Sequence, residues 1–594
     1  MDRLARLGPL LAMLFVLVLQ IHRLDDPDTW WHLASGRLIA ETGTVVRGDP
    51  FSYTAPGSPW TNRQWLFDLG IYQLWRVAGP AGPILGAGLL FTIAFGCLLA
   101  VARRRMPGWA AAAVTALAAV VAAERFTVRP EAVTLCLLGV YVLLLDRPFT
   151  WGRALLVILL QVVWANAHAL SILGVVPIAA TLVAALALRW LPLPDDWKRA
   201  NDRGRAEITP LVAATLGAIA AEAATPWGLR GALFPLVLLR DIGGKDVLSY
   251  AIVEHRATSL AELTPTVALA LRLLVVTAVA AALVSLRRLR LAPLALALAF
   301  GWAAMLARRN IALLGFGVVP LAAYGLGPLA LQVEAWLGRR SRWLGPVPGV
   351  LVSAVLALQV VRVVHGDWYR DAALTRAFGL GSSLLLYPQG AADFLERHAP
   401  NVRVLNDDLQ GGFLLWNAYP RRTVFIDGRL QVYPRDVYLQ WQSVLDDPNK
   451  FPVLARQWDV GAVLMHHPSP GRLEVAAAVS RMPGWRVAYL DGGGVVLLAD
   501  GKPAGMPEGM TGPAPAASTP GVSGVVERVV APLRDGLEEA TTLYQRGRAI
   551  HFLFGPARFA EARADFEAAL RLVPDYEAAR IGVRATSATA GVQR

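Results

Sequence analysis

The chain has 594 residues, 55% of them hydrophobic and only 17% charged, with a mean hydropathy of +0.45. Soluble domains carry about a quarter charged residues, so an ordinary soluble enzyme is excluded in favour of a polytopic membrane protein with soluble parts. The net charge of +13 does not signal a nucleic-acid partner, because Lys and Arg fall in short clusters between apolar runs, where they set topology.

The N-terminus, "MDRLARLGPLLAMLFVLVLQI", has the basic flank and apolar run of a signal peptide. It lacks a small-x-small cleavage site, which predicts an uncleaved signal anchor. Counting this run, apolar segments predict eleven spans, near 7–21, 82–102, 108–123, 131–146, 153–167, 170–190, 208–224, 265–286, 291–307, 311–331 and 344–364. Arg3 and Arg6, "RRR" at 103–105, Arg147 and Arg153, "KRANDRGR" at 198–205, "RRLR" at 287–290 and "RRSR" at 339–342 fall in alternate loops. The positive-inside rule makes those loops cytoplasmic. An odd number of spans then puts loop 22–80, loop 225–264 and everything after 365 outside. Cys97 and Cys136 lie inside apolar runs and read as small core residues, not as a disulfide or metal pair.

The first external loop carries "DDPDTWWHLASGRLIAETG". Asp26 at the N-cap and Pro27 at the first helical position predict a helix that runs to about Glu41 and stops at Gly43. Asp28 and His32, four residues apart, share a face with Ser35 and Ile39; Trp30, Leu33 and Arg37 share another. The chain returns through "WTNRQWLFDLGIYQLW", an aromatic segment suited to a helix at the membrane interface. Taken singly, Asp26 reads as a cap, Asp28 as a favourable charge at a helix N-terminus and His32 as the occupant of a polar niche. Together they form a cluster of carboxylates with an imidazole.

Two cationic groups break the topological pattern. "ERFTVRPE" and "ARRN" place Arg125, Arg129, Arg308 and Arg309 on the outer side. Either they meet an anion such as a lipid phosphate, or they pair with Glu124, Glu131 or Asp25. Arg37 and Arg63 of the first loop, and His168 in "WANAH" beside Asn166, join them as candidates for a lipid phosphate; Trp227 and Arg230 in "ATPWGLR" lie at the same face. This set suits transfer of a group from a lipid-linked phosphate. Asp26 or Asp28 would deprotonate an acceptor hydroxyl, or the two would hold a divalent cation such as Mg or Mn. The arginines would stabilise the leaving phosphate.

Beyond the last span, "SLLLY", "RVLND", "TVFIDGR", "GAVLMHH" and "WRVAYLDGGGVVLLA" read as strands, with helices between them. The alternation predicts an external α/β domain over 366–500 with a largely parallel sheet ending in a hairpin. In it, "VFIDGR" and "NDD" end strands where open sheets place ligands. The plainer reading is a turn held by Asp427 and Arg429, with Asn406 capping the next helix. Residues 501–524 have the composition of a flexible linker. The segment 525–594 resembles one tetratricopeptide repeat, with Ala562, Phe566, Ala569 and Pro574 at the spacing of its second helix. A lone repeat cannot bury its own faces, so it must dock on this protein, pair with a protein partner or stay marginal.

The blocks "DPDTWWHLASGRLIAETGTVVRGDPFSYT" and "PWTNRQWLFDLGIYQL" resemble the first external loop of bacterial multipass proteins related to the GT-C glycosyltransferase superfamily. "RPEAVTL", "WANAH", "RRNIALLGFGVVPL", "NDDLQGGFLLW" and "VFIDGRLQVYP" resemble later blocks of that group, over about residues 10–500. The resemblance implies a GT-C-like helical membrane domain over 1–365 in the bacterial inner membrane, with the C-terminal domain periplasmic. It also implies transfer of a sugar from a polyprenyl-phosphate donor, with an acid of the first loop, Asp26 or Asp28, at the chemistry. The competing reading is a non-catalytic scaffold of the same fold that recruits partners through its external and repeat domains. A transporter is disfavoured, since no paired interrupted spans or nucleotide motif stand out.

Overall fold

The computed structural model describes residues 2–234, 257–372, 374–501 and 534–587. Nearly all of the expected linker, and much of the 225–264 loop, lie outside them. The chain divides into two compact units. One, here the helical unit, comprises Met1–His22, Arg63–Phe67 and Pro83–Leu374; the other, the mixed unit, comprises Arg23–Asn62, Asp68–Gly82 and Thr375–Arg594.

In the helical unit every expected apolar run forms a helix. Among the described residues five helices are long and apolar enough to cross a membrane: Ala81–Arg103, Gly108–Arg125, Ser171–Trp190, Pro265–Val284 and Val347–His365. The expected straight span at 311–331 is instead bent by 52° between Arg308–Gly325 and Gly327–Arg340, which makes at most a sixth candidate. Its break lies where Gly325 meets the Ala281 backbone and Gly327 meets the Arg105 carbonyl, contacts that leave no room for a Cβ. Beyond the bend, Leu329, Leu331 and Trp336 stay exposed beside Arg339 and Arg340, the pattern of a helix lying along an interface. The remaining apolar helices, such as Gly8–Gln20 and Leu291–Leu306, have 13 and 16 residues. At 1.5 Å per residue they reach roughly 20–24 Å, short of a hydrocarbon core of about 30 Å.

These helices approach closely through small residues. A Cβ on Gly317 would lie 2.5 Å from the Ala297 backbone, and one on Gly139 would lie 2.6 Å from the Ala94 carbonyl. Large apolar side chains point outward instead, among them Leu273, Val276 and Val279 on one helix and Leu351, Val355 and Leu358 on another. A water-facing surface would not tolerate such continuous apolar faces. The basic loops gather at one end: Arg105 bonds Asp146 at 2.8 Å, Arg203 donates to the Leu145 carbonyl, and Asn201 donates to the Leu289 carbonyl at 2.7 Å. The other end holds His22 on the Phe126 carbonyl at 2.6 Å and Tyr369 donating to the Leu19 carbonyl at 3.1 Å. Cys97 and Cys136 are free and buried.

The mixed unit contains a four-stranded sheet, β1 (Arg403–Asn406), β2 (Val460–Met465), β3 (Trp485–Leu490) and β4 (Val495–Ala499), in the order β1-β2-β4-β3. Only β1 and β2 run parallel; β4 pairs antiparallel with both β2 and β3. The largely parallel sheet expected from sequence is thereby corrected. The β3–β4 hairpin folds back so that its second strand inserts beside β2. The expected strands "SLLLY" and "VFIDGR" are also absent as strands. Val424 makes only an isolated bridge to Ser52, and the polar side chains after it close a turn. β2 is buried along its whole length, as befits a strand covered on both faces. The C-terminal segment forms the helices Leu537–Phe554, Phe559–Leu572 and Glu577–Ser587. Gly547 and Gly582 both press on the ring of Phe566, which is 2% exposed.

Candidate functional site

The acidic loop belongs to the mixed unit. Its backbone is fixed before the helix begins: Leu24 N–H donates to the Gly381 carbonyl at 2.8 Å, and Ser383 N–H donates to the Leu24 carbonyl at 2.9 Å. Asp25 pairs with Arg376 at 2.7 Å. The helix starts at Asp28, one residue later than an Asp26 cap would place it, and the Asp28 N–H donates to Asp26 Oδ1 at 3.0 Å. Asp26 is 7% exposed. Asp28 Oδ1 accepts the Trp31 indole N–H at 3.0 Å. Burial, and then Asp26 and Asp25, push the phenol of Tyr387 well above its usual pKa, so this hydroxyl keeps its proton beside the acids.

His32 faces a carboxylate that the sequence reading did not select. Its Nδ1 lies 2.5 Å from Asp68 Oδ1, both side chains being buried, and Asn62 donates to Asp68 Oδ2 at 2.7 Å and to Ser35 Oγ at 3.1 Å. Gly36 makes this possible, since any Cβ there would strike the Asp68 carbonyl. The Trp31 ring stacks on His32 at 3.6 Å. Asp28, Trp31, His32 and Asp68 thus form one connected chain on a single helix face and its neighbour. The one available signal for Asp68 was an acid inside an otherwise apolar, aromatic helix, Trp65–Ala78. On the same helix Trp75 packs edge-on against Trp30 and Trp416.

Arg37 is committed elsewhere in this unit. It donates to the carbonyls of Leu415, Trp416 and Tyr419, the C-terminal end of helix Asp408–Ala418, and its guanidinium lies 4.8 Å from the Trp416 ring. A cation there satisfies the helix's last carbonyls. The "FIDGR" turn is likewise structural. Arg429 bonds Asp427 at 2.6 Å and Asp49 at 2.8 Å, all three fully buried, while Tyr433 donates to Asp427 at 2.9 Å. Burial opposes the Arg429 charge, but Asp427 and Asp49 outweigh it and raise its pKa. Asn406 does not cap the following helix; it brackets residues 425–426, accepting the Phe425 N–H and donating to the Ile426 carbonyl. The turn matters to the acids through Gly428, whose missing Cβ would collide with Asp28 Oδ1.

The helical unit brings most of the remaining candidates together. Arg308 grips Glu124 through two bonds, at 2.8 and 3.1 Å, and Arg309 meets Glu131 at 2.5 Å. Arg129, Arg125 and His168 lie close enough to act on Glu131 electrostatically. His168 Nδ1 is 2.6 Å from Thr134 Oγ1, which also accepts the Trp164 N–H at 2.9 Å. Arg125, Arg129, Arg308, Arg309 and His168 thus gather about Glu124 and Glu131. Arg63 is not among them. Fully buried, it is bound to Glu222 at 3.0 Å and to the Gly231 and Ala165 carbonyls at 2.7 and 3.1 Å. Trp65 donates to Asn166 at 2.8 Å. Glu222, 159 residues from Arg63, had no signal in the sequence.

Among the described residues no three His, Cys, Asp or Glu side chains come together as a metal-holding group. The assignment of Asp26 and Asp28 as holders of a divalent cation thus gains no third carboxylate, imidazole or thiolate among the described residues.

No family model matches the chain. A stretch of 159 residues is 33% identical to the methyl-accepting chemotaxis protein McpP of Pseudomonas putida, covering 24% of this chain. The chain spans only 28% of that protein's length. Among solved structures, the oligosaccharyltransferase of Archaeoglobus fulgidus in its apo form superposes with a TM-score of 0.51 at 13% identity, over 77% of this chain and 69% of its own. The same enzyme tethered to an acceptor peptide also gives 0.51, over 77% and 68%. ArnT of Cupriavidus metallidurans, bound to undecaprenyl phosphate, gives 0.44 at 15% identity, over 84% of this chain and 98% of its own. The chain is a multi-pass membrane protein whose fold resembles that of the archaeal oligosaccharyltransferase, and at this identity the likeness shows the fold alone.

Proposed function

We propose that the protein is a GT-C-type membrane glycosyltransferase that moves a sugar from a polyprenyl-phosphate donor to an acceptor on the external face of the inner membrane. The observation that carries this reading is the conjunction of that fold with an acidic first loop whose backbone and side chains are held by named bonds. Asp26 or Asp28 takes the proton of the acceptor nucleophile, whose freed electron pair forms the bond to the sugar's anomeric carbon. The bond from that carbon to the phosphate oxygen breaks, and its electrons remain on the departing polyprenyl phosphate. Arg125, Arg129, Arg308, Arg309 and His168, all in the helical unit, are the candidates for holding a lipid phosphate. His32, bound to Asp68, orients the Asp28 face through Trp31. Arg37 and Arg63, originally candidates for the lipid phosphate, take supporting roles in this scheme.

The same reading carries an eleven-span topology. Its support is the gathering of the basic loops at one end of the helical unit, and the membership of residues 23–62 and 375–594 in one compact unit. Replacement of Asp26 and Asp28 together by Asn tests the function in cells. Envelope glycans, glycolipids and glycoproteins of a deletion strain should be restored by the wild-type chain and not by an equally abundant double variant. Restoration by the variant would refute the catalytic assignment and favour the scaffold reading.

A further inference from the structure

The C-terminal helices are set apart in sequence by a linker-like segment, which suggests a detachable recruiting module. Their contacts say otherwise. Glu538, in the first turn of helix Leu537–Phe554, lies 2.5 Å from Arg23, with side-chain exposures of only 11% and 4%. Its other oxygen accepts from Ser383 Oγ at 2.7 Å and from the Leu384 N–H at 2.9 Å. Glu539 adds a second contact to Arg23 at 3.2 Å and is itself tied to Arg534 at 3.1 Å. Further along the helix, Arg548 donates to the His467 carbonyl at 2.8 Å, and Gly492 packs under Thr542.

Arg23 and Ser383 are the two segments that clamp the acidic loop. Leu24 is bridged to Ser382, and Asp25 and Asp26 follow directly. Glu538 therefore staples both sides of the bridge from which the acids project. Resting on the glycosyltransferase reading, we infer that Glu538 is a positioning residue for Asp26 and Asp28, and that the C-terminal helices form part of the catalytic support. A carboxylate only 11% exposed that binds a guanidinium, a hydroxyl and a backbone N–H is a strong constraint, because its loss leaves those donors poorly placed to reach water. Small displacements of a reacting group are costly in rate.

The test uses the full chain in detergent, with Glu538→Ala, Glu538→Asp and, as a control on the far side of the tail, Arg558→Gln. Amide hydrogen exchange reads the clamp without reference to activity. Glu538→Ala should speed exchange at Arg23, Leu24, Ser383 and Leu384 by about tenfold to a hundredfold, with Glu538→Asp partly restoring protection and Arg558→Gln leaving it unchanged. Unchanged exchange in Glu538→Ala overturns the inference whatever the activity. In a transfer assay, Glu538→Ala should lower kcat by about tenfold or more while leaving the donor KM within about threefold. A loosened loop with full kcat also overturns it. Absence of transfer by the wild-type chain would instead sink the glycosyltransferase reading, and the exchange data would still decide whether the tail holds the loop.

Discussion

Asp68 offers the most quantitative check on the acidic face. It is fully buried and accepts from His32 at 2.5 Å and from Asn62 at 2.7 Å. Asp68→Ala leaves two buried donors without a partner, at about 1–3 kcal/mol each, so a loss of about 4 kcal/mol is expected. Asp68→Asn keeps one acceptor and should cost about 1–3 kcal/mol. For a unit of this size a loss of 4 kcal/mol lowers Tm by roughly 8–16 °C. Thermal unfolding followed by tryptophan fluorescence in detergent would measure it, Trp31 being stacked on His32. A double-mutant cycle with His32→Ala should give a coupling of about 2 kcal/mol or more. A Tm shift under about 2 °C for Asp68→Ala, or a vanishing coupling, would refute the claim that His32 is held by this carboxylate.

Gly428→Ala should displace the Asp28 carboxylate and lower transfer about tenfold or more with little change in Tm, because the missing Cβ faces Asp28 Oδ1. Arg429→Lys should destabilise the mixed unit by about 3–5 kcal/mol in chemical denaturation, since a lysine cannot reproduce the fork that grips Asp427 and Asp49. Asp408 tests pH linkage: burial, and then Asp407, raise its carboxyl from an ordinary 3.8 to about 6. Between those values the folded chain holds more protons than the unfolded chain, so this group's contribution to stability falls as pH rises from about 4 to about 6. Asp408→Asn should therefore gain stability over wild type by about 1–2 kcal/mol at pH 7 and gain nothing at pH 4, as read by paired denaturation curves.

Local chemistry was readable where partners are close in sequence. The Asp-Pro-Asp helix start, the turn of Asp427 on Arg429 and the run of apolar helices all follow from residues within a few positions of one another. The bend after Gly325 was not readable, because it depends on Ala281 and Arg105 in other helices. Nor were Asp68 for His32, Glu222 for Arg63 or Glu538 for Arg23, pairs that the fold brings together from 36, 159 and 515 residues apart. Arg308 and Arg309 show the limit well. The sequence offered either a phosphate or a glutamate for Arg308 and Arg309, and the structure supplies Glu124 and Glu131. The mixed sheet escaped prediction for a related reason: which side of β2 receives the hairpin is set by packing, not by strand propensity.

Under the proposed function, the acids of the first loop drive release of a sugar from a polyprenyl phosphate. Purified protein reconstituted in liposomes, offered a panel of polyprenyl-phosphate sugars and a membrane extract as acceptor, allows free polyprenyl phosphate to be followed by mass spectrometry. The wild-type chain should release it from at least one donor in step with a glycosylated product, and the folded Asp26→Asn, Asp28→Asn variant should release none. Equal release by both proteins, or none by a folded wild-type chain with any donor, would contradict it.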